Sequence, residues 1–93
     1  MEVQQTFAKA LKQIRKAHGL TQEDFSDVSS RTYISTLERG LKNPTIEKVD
    51  TLARVIGVHP LTLLALAYLI ERGESEPSKL LKVIAEELNQ VLN

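Results

Sequence analysis

"RTYISTLERG", running from Arg31 to Gly40, is the stretch on which the reading of this chain turns. On a helix, steps of three and four residues return to one face, so Ile34 and Leu37 point one way while Arg31, Thr32, Ser35 and Thr36 point the other. Aliphatic anchors of this kind hold a segment to a core, and short hydroxyl groups with one guanidinium look outward. That outer face lacks the Lys/Glu pairing of an ordinary solvated helix. A DNA major groove admits such a helix: Arg reads guanine edges bidentately, and Thr or Ser bonds to bases or touches a thymine methyl. The alternative is a hydroxyl-rich surface without a ligand, and this segment alone does not decide between the two.

The flanking sequence supplies more helices and no strand-like alternation. Upstream, Phe7, Leu11 and Ile14 recur at helical spacing with Lys9, Lys12 and Lys16 between them, and the pattern stops at Gly19. Thr21 before Gln22, Glu23 and Asp24 predicts a capped short helix that turns Phe25 and Val28 inward. Ser29 and Ser30 break it, since small hydroxyl side chains favour turns and caps. Downstream, Gly40 suits the left-handed residue that ends a helix. Thr45 then caps a helix with Ile46, Val49, Leu52, Ala53 and Ile56 on its inner face, closed by Gly57. Pro60 sits as a first-turn proline before Leu61 to Arg72, a helix with almost no polar face, which must be covered on more than one side. After the turn Gly73 to Pro77, Ser78 to Leu92 predicts a last amphipathic helix with Leu81, Ile84, Leu88 and Val91 as its stripe.

The fold class is therefore all-α, a compact bundle of five to six short helices, divided into a 1–72 body and a 73–93 terminal helix. Ninety-three residues hold one small core. An aromatic share of 4% makes that core aliphatic. With no cysteine there is no thiolate nucleophile and no sulfur-ligated zinc. The start MEVQQTFAKA has no basic-then-apolar export signal, and the longest apolar run falls short of a membrane span of roughly 20 residues. A cytoplasmic protein with no membrane partner is expected. Lys and Arg balance Asp and Glu at twelve each, yet the basic excess lies in the first half, where an anionic partner is to be sought. His18 and His59 stand without a carboxylate pattern that would mark a metal or a catalytic base. The expectation is no enzyme, no cofactor, no metal and no small-molecule ligand.

The order of parts is more specific than any one of them. A short capped helix beginning T-Q-E, a tight turn, a helix anchored by I-S-x-L-E-x-G, a K-N-P-T loop and an amphipathic helix ending in G-V together resemble the Cro/CI-type (XRE) helix-turn-helix family of bacterial and phage regulators. The resemblance spans about residues 7–66, and "RTYIS" is similar to the recognition-helix start of restriction-modification controller proteins in that family. It implies a lambda-repressor-like DNA-binding domain with a helical extension at its C-terminus, acting on transcription, most simply as a repressor. By position, Arg31, Thr32, Ser35 and Thr36 would read bases. Gln22, Tyr33, Arg39, Lys42 and Asn43 would contact the DNA backbone. Arg15 and Glu38 match a pair that forms a structural salt bridge in the family. From Thr21 to Ile34 the chain is two residues shorter than the usual family spacing, so the second helix or its turn must be contracted.

One recognition helix cannot select an operator from a genome at roughly 1–3 kcal/mol per bidentate contact, so two copies on palindromic double-stranded DNA are expected. Leu66, Leu69, Ile70, Leu81, Ile84, Leu88 and Val91 are the expected homodimer interface, since they exceed what four small helices hide. The rival reading is an antitoxin or another protein-interaction module that uses the same apolar C-terminal helices.

Overall fold

The computed structural model describes residues 2–93, and every regular element among them is helical. Five α-helices follow in order: α1 (Val3–Ala17), α2 (Arg31–Glu38), α3 (Ile46–Ile56), α4 (Pro60–Arg72) and α5 (Ser78–Leu92). A single 3-10 turn, Gln22–Phe25, stands between α1 and α2. The two-residue contraction read from the sequence thus falls on the second helix, which shrinks to this one turn. Asp24 closes it by accepting the Thr21 N–H at 2.7 Å and the Thr21 hydroxyl at 3.1 Å.

Local signals set most helix ends. Ser30 accepts the Tyr33 N–H at 3.0 Å and starts α2; Thr45 accepts the Lys48 N–H at 3.1 Å and starts α3. His59 does the same for α4, its Nδ1 accepting the Leu61 N–H at 3.0 Å while Pro60 takes the first helical position. This cap gives His59 a structural task. Glu76 opens α5 by accepting the Ser78 N–H and hydroxyl, and those bonds hold its exposed carboxyl below the usual range.

Gly40 carries a tighter constraint than the other turns. Its φ of +74° lies in the left-handed region, and a Cβ there would stand 2.7 Å from Gln5 Oε1. Its carbonyl accepts from the Gln4 and Gln5 side chains. The end of α2 is thereby pinned to the start of α1.

The core gathers Phe7, Leu11 and Ile14 of α1, Phe25 of the turn, Ile34 and Leu37 of α2, Val49, Leu52 and Ile56 of α3, and Leu63 and Ala67 of α4. α1 packs chiefly on α4, and α2 leans on α1 and the 3-10 turn. One residue departs from the sequence pattern. Ile46, counted as an inner position of α3, is 89% exposed. It sits in the first turn, at the rim of an apolar groove with Val3, Phe7, Pro44, Leu61 and Leu64, where α3 overhangs its neighbours.

α5 stands apart. Only Leu80 is buried, and every residue from 81 to 93 is exposed. The molecule is drawn out to 42 × 26 × 23 Å. α4 is covered around much of its circumference: Leu63, Ala67 and Leu69 are buried, Leu64, Leu66 and Ile70 are half-buried against the core, and Leu61 and Tyr68 face outward. No single helix among the described residues is long and apolar enough to cross a membrane.

Candidate nucleic-acid interface

Burial of Ile34 and Leu37, both fully inaccessible, fixes the rotation of α2 and therefore what its other side presents. Gln22, Arg31, Thr32, Ser35, Thr36 and Arg39 line one shallow concavity of about 390 Å³ on that side. Arg31, Thr32 and Arg39 are exposed, and Gln22, Ser35 and Thr36 are half-buried. The concavity is open and polar, and it is bounded at both ends by guanidinium groups.

Each polar group there has a distinct freedom. The Thr36 hydroxyl donates to the Thr32 carbonyl at 2.7 Å, the back-bonding typical of a threonine inside a helix. Its proton is committed, so Thr36 offers lone pairs and a methyl, a surface suited to a thymine methyl. Arg31 lies 3.8 Å from Glu23, with both side chains largely in water, a contact too loose to hold the guanidinium in place. The Gln22 side-chain amide donates to Glu38 Oε1 at 3.1 Å. That bond orients Gln22 from behind and leaves its carbonyl oxygen and second amide hydrogen to face outward.

Beneath the concavity lies a buried, forked ion pair. Arg15 and Glu38 meet as a fork: Nε to Oε2 at 2.6 Å and Nη2 to Oε1 at 2.9 Å. Arg15 Nη1 donates to the Leu20 carbonyl at 2.9 Å. The two side chains are only 9% and 4% exposed, so α1 and α2 are joined by a desolvated ion pair. The hydrogen bonds to Glu38 raise the Arg15 pKa above its already high ordinary value, outweighing the opposing effect of burial. A raised pKa lends stability that is fully present below the unfolded value, so the guanidinium's contribution is in place throughout the neutral range.

A second cluster flanks α2. Tyr33 is half-buried, with Lys48 Nζ 5.0 Å and Lys42 Nζ 5.6 Å from its ring centroid. Lys48 also donates to the Val28 carbonyl at 3.3 Å. The two ammonium groups set positive charge around the Tyr33 phenol, whereas the exposed Asn43 lines the apolar groove with Val3, Phe7 and Ile46. Lys48 did not stand out in the sequence, because it lies one turn inside α3 and reaches Tyr33 only through the tertiary fold.

The apolar C-terminal residues divide by place. Leu66 and Ile70 are half-buried on α4, and Leu69 is already buried in the single chain. On α5, Leu81, Ile84, Leu88 and Val91 are all exposed, Val91 to 82%.

Comparison with known proteins shows the family and the fold. The family profile described as Helix-turn-helix matches residues 11–63. An uncharacterized HTH-type transcriptional regulator, y4dJ of Sinorhizobium fredii (strain NBRC 101917 / NGR234), is 35% identical over 65 residues, covering 68% of this chain and 84% of its own length. Among solved structures, the clp gene regulator ClgR from Corynebacterium glutamicum superposes with a TM-score of 0.69 at 24% identity, over 99% of this chain and 92% of that one, a likeness of fold. With more than half of its length matched by the family profile and a relative 35% identical, the chain belongs to the helix-turn-helix family, in its Cro/CI (XRE) form.

Proposed function

We propose that this protein is a transcriptional repressor that binds a palindromic operator in duplex DNA as a homodimer. The observation that carries the reading is the concavity on the outer side of α2, where Gln22, Arg31, Thr32, Ser35, Thr36 and Arg39 converge. In this reading α2 enters the major groove and Arg31, Thr32, Ser35 and Thr36 meet base edges. Gln22 and Arg39, with Tyr33, Lys42 and Asn43 alongside, contact phosphates and set the register. Arg15 and Glu38 stay out of the contact and hold α2 rigid. Residues 1–72 form the DNA-binding body and 73–93 the dimerisation segment.

Zero net charge supports a selective binder over a general polyanion binder. Few phosphates are neutralised per subunit, so non-specific affinity is low and discrimination comes from base readout. Two copies double the number of bases read and place their recognition helices about 34 Å apart, one turn of DNA. A dimer seated on a promoter excludes polymerase by bulk alone, which is why repression is the simplest action.

Selection of bound sequences from a random duplex pool tests the reading. The expected result is an inverted repeat whose half-sites are about one helical turn apart. Recovery of no preferred sequence would overturn it. Transcription from a template bearing the recovered site is expected to fall on addition of the protein, and a rise would replace repression with activation.

A further inference from the structure

Past the Glu76 carboxylate that caps its start, α5 is composed against its own dipole. Its first turn holds no acidic residue and its last holds no basic one. Lys79 and Lys82 occupy the N-terminal half, and Glu86 and Glu87 lie past its midpoint, the reverse of the favoured order. A helix of 15 residues with that charge order is marginal by itself in water. The rest of the chain gives it little support, since burial stops at Leu80. Leu81, Ile84, Leu88 and Val91 recur at steps of 3, 4 and 3 and form one open apolar stripe.

The same chain carries a matching recess. A cleft of about 480 Å³ opens between α4 and the start of α5, walled by Ile14, Leu61, Ala65, Leu66, Leu69 and Leu81. Leu81 belongs to both features, so cleft and stripe make one continuous apolar surface.

We propose that a second copy of this chain covers that surface with its own α5 running antiparallel, so that the partner's Leu88 and Val91 enter the cleft beside Leu81, and reciprocally. The proposal rests on the dimer of the preceding subsection and specifies its mode. Charge favours the antiparallel direction. It sets the Lys79/Lys82 half of each helix along the Glu86/Glu87 half of the other and opposes the two dipoles, whereas a parallel pair aligns like with like. Area favours insertion into the cleft. A seam along 15 residues is about 22 Å long; at a width of about 10 Å it covers on the order of 200 Å² per copy, against about 800 Å² per partner in a stable interface. Contact with α4 and α1 inside the cleft adds to that area, and only antiparallel helices bring each tip to the other copy's cleft. A two-fold arrangement of this kind closes on itself and stops at two copies.

The chain has no cysteine, so an introduced thiol is unique. Leu81→Cys and Leu88→Cys replace residues that are each about half exposed, 52% and 53%, and circular dichroism checks that both variants fold. The two are co-refolded in equal amounts, or each alone, and oxidised mildly, which joins thiols only where Cα atoms approach within about 7 Å. The expected result is a covalent dimer in the mixture and none from either variant alone. Covalent dimers from each variant alone would establish a parallel pair and overturn the proposal. Absence of cross-linking throughout, with the unmodified chain sedimenting as a dimer, would overturn the antiparallel mode and leave the dimer standing. Sedimentation of the unmodified chain as a 10.4 kDa species at micromolar concentration would overturn both.

Discussion

Two arginine–glutamate pairs bracket α2, and they have little in common beyond their residue types. Arg15 and Glu38 meet at its inner end as a fork with a 2.6 Å contact, almost wholly out of water. Arg31 and Glu23 meet at its outer start at 3.8 Å, with 73% and 64% of their side chains exposed. Burial decides what each pair does. A desolvated fork is strongly directional, and once one partner is lost the other is left charged in a low-dielectric setting. An exposed pair at this distance is screened by water and salt, and either partner is free to leave for a better one. A single eight-residue helix is thus fastened at one end by electrostatics and left available at the other.

Breaking the inner pair has the largest expected effect. Glu38→Ala strands Arg15 and releases the Gln22 amide, and is expected to cost about 3–5 kcal/mol. For a chain of this size that corresponds to a fall in Tm on the order of 20 °C, read by calorimetry. The fraction that remains folded is expected to keep its operator preference. An unchanged Tm would show that the fork adds nothing to stability. The outer face behaves in the opposite way. Arg31→Ala is expected to leave Tm within a degree or two and to reduce discrimination at one base position by about 1–3 kcal/mol, measured by competition between operator variants. Lys42→Ala is expected to weaken all sequences alike and to lower the slope of log K against log salt by about one phosphate's worth. Identical binding profiles for these two variants would dissolve the division between base readers and backbone contacts.

The inner pair and the outer face also differ in how well the sequence foretold them. Helix ends were legible wherever a local signal acts within three residues, as at Ser30, Thr45, Pro60 and the glycines at 40, 57 and 73. The apolar steps located Ile34 and Leu37, and so the rotation of α2, because period alone fixes which side is buried. Period failed at Ile46, since a pattern cannot tell that the first turn of a helix overhangs its neighbours. It also failed to choose between a short α-helix and a 3-10 turn at Gln22–Phe25, which differ by fractions of a turn that capping residues do not encode. Lys48 at the Tyr33 ring and Gln22 on Glu38 depend on contacts across 15 and 16 residues, and only the packed body reveals them. At the site, residue types were readable, whereas the freedom of each group was not. That Thr36 has spent its proton on the Thr32 carbonyl is a fact of geometry alone.

The smallest effect tests the comparison most sharply. Glu23→Gln removes the acidic member of the exposed pair and keeps the shape of the side chain. If the pair is as loose as its 3.8 Å separation indicates, stability is expected to change by less than about 0.5 kcal/mol. DNA affinity is expected to rise slightly and equally for all sequences, because one negative charge near the phosphates is gone and Arg31 sheds a competitor. Base preference at the position read by Arg31 is expected to stay as it was. A loss of that preference, seen by the same competition assay, would mean that Glu23 aims Arg31 at its base. The outer pair would then be a positioning device, and exposure would no longer separate the two ends of α2.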